Sequence, residues 1–304
     1  MSKKVKVIDI LNYLDEHNES YRFIGDKGIV ITGFSSLSNY KYGNITWIKN
    51  KNTFFESSNV SSIMLAVVQE GIEVDIGNKI LTNESKRIFF DIVKHFYSAE
   101  NNNSAIGRNT YISPEVRIGN NVKIGHNCTL DGDIYIGDNT TIYNNVNIIN
   151  RVVVGRNCEI QSGVNIGHDG FSYYVKNERK FMIKHYGGVY IGDNVHIGTN
   201  TSIARGTIDD TTIDDNCKID NLCHIAHNAQ LGKNVTLIAG TIIYGSVQIG
   251  NNAYIATGIV RNQLSVGDKA MVGMGSVVIK DVPSGELVIG IPAKAYNKRA
   301  NDEV

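Results

Sequence analysis

Aliphatic and polar positions alternate along most of this 304-residue chain with a period of six. From Ile106 to Ile166 an aliphatic residue returns at every sixth place, through Ile112, Ile118, Ile124, Leu130, Ile136, Ile142, Ile148, Val154 and Ile160. Four places after each stands a small or β-branched residue, among them Thr110, Val116, Val122, Cys128, Ile134, Thr140 and finally Gly170. The register breaks after Ile166 and returns at Ile191, Ile197 and Ile203. It then runs from Ile213 to Ile255 and from Val260 to Val278. A fixed short period predicts a solenoid, and a hexad headed by Ile-Gly predicts a β-helix. One hexad is too short to bury anything. Three of them would make one triangular coil, and stacked coils would bury the aliphatic column on parallel ladders about 4.8 Å apart. The Gly, Asn and Asp that follow each aliphatic, as in Gly119-Asn120-Asn121 and Gly250-Asn251-Asn252, are expected at corners needing left-handed backbone angles.

The pattern divides the chain in three. Residues 1–103 lack the hexad and read as a small α/β domain. Ile8, Leu11 and Leu14 share a helical face, and β-rich runs follow at Tyr21–Ile24, Gly28–Phe34, Asn44–Ile48, Ser61–Val68 and Lys79–Leu81. A second helix is expected from Glu84 to Phe96, where Ile88, Ile92 and Phe96 fall on one face. The polar run Ser98–Ser104 marks the boundary. The β-helix is expected over 104–282 and a short basic tail over 283–304. Where the hexad fails, residues 169–188 read as an ejected loop, and such insertions tend to sit on a binding face. Phe171, Tyr173 and Tyr174 beside Asp169 would give it a ligand wall, or a surface that packs on a neighbouring subunit.

Composition narrows the function classes. The 30 Gly and 3 Pro suit a turn-rich solenoid, and 30 Lys plus Arg balance 30 Asp plus Glu. No overall field therefore draws the chain to nucleic acid or an anionic membrane. No stretch approaches a membrane span, so no membrane insertion is expected, and the charged start MSKKVKVIDIL lacks a signal-peptide core, which suggests a soluble cytoplasmic protein. Cys128, Cys158, Cys217 and Cys223 all occupy the interior place four after an aliphatic, where they read as small hydrophobes; no metal site is expected.

Histidine is the natural base at neutral pH. His17 and His95 belong to the small domain. His126, His168 and His227 stand two places after a hexad aliphatic, and His196 and His224 five places after, so position alone does not choose among them.

The stretches GHDGFSYY and VYIGDNVHIGTNTSIARGTIDDTTIDDNCKIDNLCHIAHNAQLG resemble the UDP-3-O-acylglucosamine N-acyltransferases, most specifically in KIDN-x-x-x-IAHN. The resemblance covers nearly the whole chain. It implies a left-handed parallel β-helix, a homotrimer, and acyl transfer from an acyl thioester, either acyl-CoA or an acyl carrier protein. It makes His227 of IAHN the catalytic base and the backbone N–H of Gly245, eighteen residues on, the oxyanion donor. Asp169, Gly170 and Phe171 match the family's DGF loop, and Asn221 of KIDN and His224 join them as substrate-binding positions. In the small domain Trp47, the single tryptophan, takes the place of a nucleobase-stacking aromatic, and Asn50 that of its amide partner. A structural role for Trp47 in the core is the alternative.

Departures from the family are informative. A family tyrosine falls on Thr53, beside Phe54; an Asp before Arg205-Gly206 becomes Ala204; a glutamine becomes His224; a second histidine aligns with Gln263; and GMGM reads Gly273-Met274-Gly275-Ser276. The long C-terminal helix that meets the carrier protein is short or missing after Lys298-Arg299. These changes weaken the expectation of a long 3-hydroxyacyl donor more than that of a nucleotide-sugar amine as acceptor. The expected activity is N-acylation of a UDP- or dTDP-linked amino sugar for a bacterial envelope glycan. The alternatives are the lipid A enzyme itself, using a 3-hydroxyacyl carrier protein, and a non-catalytic nucleotide-sugar binding module. A zinc carbonic anhydrase of similar fold would need a His-x4-His pair that the sequence lacks.

Overall fold

The computed structural model describes residues 3–50, 62–98 and 106–295. The expectations that fall on Thr53, Phe54, Lys298 and Arg299 lie outside the described residues. The chain divides into two compact units, Met1–Asn102 and Asn103–Val304.

In the first unit a five-stranded sheet runs in the order Arg22–Ile24, Lys79–Thr82, Leu65–Gln69, Asn44–Ile48, Gly33–Phe34. Only the first pair is antiparallel. The central strand reads Leu-Ala-Val-Val, all wholly buried, as a strand covered on both faces should. Helix α1 (Val7–Glu16) buries Val7, Ile10, Leu11 and Leu14. Helix α2 (Ser85–Tyr97) buries Ile88, Phe89 and Ile92. Both join Ile45, Leu65, Val67 and Ile80 in one core, and Ile48, Ala66, Val68 and Leu81 form a second core on the opposite face of the sheet. Ile8, expected on the inward face of α1, is only half-buried, because the helix turns Val7 and Ile10 inward instead.

The second unit is a parallel β-solenoid of three sheets, with ten, nine and eight strands among the described residues. Successive strands on one face pair in parallel at a spacing of one coil, as Leu130 with Ile148 and Ile148 with Ile166. The hexad aliphatics and the residues four places on fill one continuous core, including all four cysteines. At Thr140, Thr201 and Thr241, where that second place is threonine, the side chain is buried and its hydroxyl donates to a carbonyl, as Thr140 Oγ1 does to Gly155 at 2.9 Å. The exceptions are at the start: Ile106 and Ile118 are exposed, because the first coil has partners on one side only.

The corners differ from expectation in an instructive way. Apart from Gly167 (φ +89°), the glycine after a hexad aliphatic does not carry the left-handed angle. A Cβ on Gly125 or Gly137 would stand 2.6 Å from the backbone of the next coil, so glycine is required there for close stacking. The left-handed residue lies two places later and is usually asparagine: Asn121, Asn127, Asn139, Asn157, Asn216, Asn234 and Asn252 have φ between +55° and +61°. Asparagine tolerates this region, and its amide reaches the asparagine one coil on, as Asn121 Nδ2 donates to Asn139 at 3.2 Å.

Two irregularities shape one side of the solenoid. After Asn165–His168 the chain leaves as an exposed antiparallel hairpin, Tyr173–Lys176 with Arg179–Met182, and re-enters at Val189–Ile191. Ile203 to Ile213 spans ten residues instead of six. Gly170, counted as an interior hexad position in sequence, belongs instead to the exit from the coil. Past Val278, Leu287–Ile289 still adds to a solenoid sheet and Lys294–Ala295 folds back on it.

Candidate active site

The long coil between Ile203 and Ile213 holds Asn228 from both ends of its amide. Asn228 Oδ1 accepts the Thr207 N–H at 3.1 Å and the Thr207 hydroxyl at 2.8 Å, while Nδ2 donates to the Asp209 carbonyl at 3.0 Å. The Asn228 N–H donates to Thr211 Oγ1 at 2.9 Å. Backbone partners on both sides leave only one orientation for the amide. The same coil anchors the returning hairpin: the Tyr186 N–H donates to the Thr207 carbonyl, Asp210 takes the Gly188 N–H and the Arg151 guanidinium, and Arg205 Nε donates to the Gly187 carbonyl at 2.6 Å.

That orientation decides the state of His227. Its Nδ1 lies 3.0 Å from Asn228 Oδ1, an oxygen that can only accept. Nδ1 therefore carries the proton, and in the neutral ring Nε2 is a free base. The Nε2 edge faces Gly245, one coil on: a Cβ there would stand 2.8 Å from Cε1 and 2.9 Å from Nε2. Gly170 packs on the other edge, where a Cβ would stand 2.7 Å from Cδ2. Glycine at both places leaves room for this ring.

Gly245 also leaves donors free. At the corner position that His227 occupies, the N–H is commonly capped by a side chain one coil on, as His126 by Asn144, Lys233 by Asn251 and Asn251 by Asp268. Behind His227 the capping place is Gly245, which has no side chain. Among the described residues neither the His227 N–H nor the Gly245 N–H has a hydrogen-bond partner. Unspent backbone donors beside a free imidazole nitrogen suit a developing oxyanion.

His227 and Gly245 line a groove of about 480 Å³ together with His168, Asp169, Phe171, His224, Tyr244 and Gln263. Asp169, Phe171 and His224, expected from sequence, thus converge with His227. Phe171 stands 88% exposed and tilts against Tyr173 at 4.9 Å, so it forms a rim. His168 is committed: Nδ1 donates to the Asp169 carbonyl at 3.0 Å, and Nε2 accepts the Ser202 hydroxyl at 2.7 Å. Burial, then the nearness of His168 and His227, pushes the His224 imidazole below its ordinary pKa, so it is neutral at neutral pH.

Other expected residues lie elsewhere. Asn221 does not line the groove; its amide oxygen caps the Thr199 N–H at 2.7 Å and its side chain serves the corner stack. In the first unit Trp47 lies half-buried on the α2 side of the sheet, 6.5 Å from Phe89 and 6.4 Å from Phe90, with Lys86 Nζ 6.0 Å from its ring centre. Asn50 is exposed just past the end of that strand. Among the described residues no group of three His, Cys, Asp or Glu side chains is placed to hold a metal.

Sequence reasoning missed His185. It lies in the hairpin's return, where no period exists to place it, yet its ring packs edge-to-face on His227 with centres 5.2 Å apart. It is wholly buried. The one signal in sequence was its place beside the re-entry, His185-Tyr186-Gly187-Gly188.

Comparison with known proteins places the repeat. Residues 101–132 and 133–168 match the bacterial transferase hexapeptide (six repeats), and 188–221 match the hexapeptide repeat of succinyl-transferase. The solenoid is that of the hexapeptide-repeat acyltransferases. Among curated hexapeptide relatives, serine acetyltransferase of Bacillus pumilus is 39% identical over 74 residues, 21% of this chain and 34% of that protein. UDP-3-O-acylglucosamine N-acyltransferase of a Caulobacter species is 36% identical over 74 residues, 24% of this chain and 22% of that protein. The chain thus spans about a third or less of these two relatives. Among solved structures, the UDP-N-acetylglucosamine acyltransferase of Bacteroides fragilis is similar at 30% identity and TM-score 0.56, over 62% of this chain and 72% of that one. The UDP-N-acetylglucosamine O-acyltransferase of Moraxella catarrhalis is similar at 26% and 0.58, over 64% and 74%.

Proposed function

We propose that this chain is an N-acyltransferase that moves an acyl group from an acyl thioester, on coenzyme A or an acyl carrier protein, to the amino group of a nucleotide-linked amino sugar. The observation that carries this reading is His227, fixed with Nδ1 protonated and Nε2 free, its ring lying against Gly245, whose N–H has no partner among the described residues, in the wall of one groove. The sugar amine attacks the thioester carbonyl carbon as Nε2 takes its proton. The carbonyl oxygen becomes an oxyanion, which the Gly245 N–H stabilises by about 3 kcal/mol. Collapse breaks the C–S bond, and the imidazolium returns the proton to the leaving thiolate. The products are an amide and a thiol.

Relatives such as the Caulobacter and Moraxella enzymes are named for UDP-sugar acceptors, which supports a nucleotide-linked acceptor here. In this reading Trp47 stacks the base and Asn50 hydrogen-bonds it. The protein works as a homotrimer, and the product serves a bacterial envelope glycan such as O-antigen, capsule or lipopolysaccharide. One finding favours a second reading, the lipid A N-acyltransferase with a 3-hydroxyacyl carrier protein: the identity with the Caulobacter enzyme.

A thiol-release screen separates these. Short acyl-CoAs and 3-hydroxyacyl carrier proteins are offered with UDP- and dTDP-amino sugars. Release that needs both a donor and an amino sugar supports the enzyme, and the donor used selects between the readings. Tight nucleotide-sugar binding without release from any donor would make the chain a binding module.

A further inference from the structure

His185 has no part in the mechanism above, yet it is the best-enclosed titratable group beside the base. Its Nδ1 lies 2.9 Å from the Ile183 carbonyl, which can only accept, so Nδ1 carries the proton and Nε2 of the neutral ring is a bare lone pair. That Nε2 is buried and has no hydrogen-bond partner among the described residues, an arrangement that costs stability unless it serves something. A single point, the place of a Cβ on Gly170, is 2.9 Å from this nitrogen and 2.7 Å from Cδ2 of His227. The two rings meet edge-to-face at 80°.

We propose that His185 is the positioning residue of His227. Fixed by Ile183 behind Gly170, it keeps the His227 ring in place and sets a bare nitrogen lone pair beside it that favours the ring's protonated form. The inference rests on the reading of His227 as the base. A base that must hold a proton between amine attack and thiol departure benefits from a buried, polarisable neighbour that does not itself touch substrate. The other titratable groups around the pair are His168, Asp169, His224 and Tyr244 along the groove and Arg205, whose Nε holds the Gly187 carbonyl. Lys184 and Tyr186, on either side of His185, are exposed.

Two substitutions in the full chain separate positioning from packing. His185→Phe keeps a ring but loses both nitrogens, and His185→Gln keeps a polar end. The expected result for His185→Phe is a kcat lower by about tenfold, an unchanged KM for the nucleotide sugar, and an acid limb of the pH profile moved to lower pH. His185→Gln should recover most of kcat. Carbon-13 labelling of the histidine rings gives a readout without turnover: in His185→Phe the His227 ring should titrate at lower pH than in wild type. Wild-type kcat together with wild-type His227 titration in His185→Phe overturns the proposal. So does an equal loss of melting temperature and kcat in both variants with the acid limb unmoved. A wild-type protein silent with every donor sinks the acyl-transfer reading instead, and the His227 titration still decides the role of His185.

Discussion

The ring of His227 lies against the backbone of Gly245, one coil on in the solenoid, so closely that a Cβ on Gly245 would meet Nε2 at 2.9 Å. The spacing of the coils thus sets the imidazole proposed as base beside a residue whose N–H has no partner among the described residues. Gly245 does not have a positive φ, so alanine fits its backbone angles. Gly245→Ala, which keeps the N–H, should therefore fold normally and displace the His227 ring, lowering kcat by about a hundredfold, as misplacing a general base does. Circular dichroism melting and thiol release check the two halves. Full activity in the alanine variant would contradict the geometry.

Leu222 holds the left-handed corner position that asparagine holds elsewhere, with φ +59° and 64% exposure. A leucine side chain strains that conformation. Leu222→Asn should stabilise the protein by about 1 kcal/mol, read as a rise in denaturation midpoint with an unchanged slope.

The four cysteines are buried in the core, and burial pushes the Cys217 thiol up to about 11. At neutral pH an aromatic disulfide reagent should find no reactive thiol in the folded protein and 4 after denaturation. Fast labelling of the native chain would show that these coils open.

His224 should make the protein acid-sensitive. Its folded pKa lies below the ordinary value, so the unfolded state binds the proton more readily. Stability present above about pH 6.5 is lost as pH falls below it. Between about pH 7.5 and about pH 5.5, His224→Gln should lose less melting temperature than wild type. An equal loss in both proteins would remove His224 from the titration.

Much of this was legible in sequence because a solenoid writes its core as a period. Ile124, Leu130 and Ile136 announced their burial, and Cys128 and Cys158 their inertness, by position alone. The corners were harder: a sequence shows glycine and asparagine together, and only stacking reveals that glycine avoids the next coil while asparagine takes the turn. His227, Gly245, Asp169 and Phe171 came from a resemblance, and the folded chain brings them to one groove. Asn221 does not join them, since its amide is spent on the Thr199 N–H. His185 was invisible because hairpin residues have no register, and its contact with His227 depends on how Thr207 and Asp210 tie the returning strand.

The most direct test compares thiol release by wild type and His227→Ala, with an acyl thioester and a UDP- or dTDP-linked amino sugar, on samples of equal melting temperature. If His227 is the base, wild type releases thiol in step with amide formation, and the alanine variant is slower by about a hundredfold or more with an intact fold. Equal turnover by the two proteins would contradict that role.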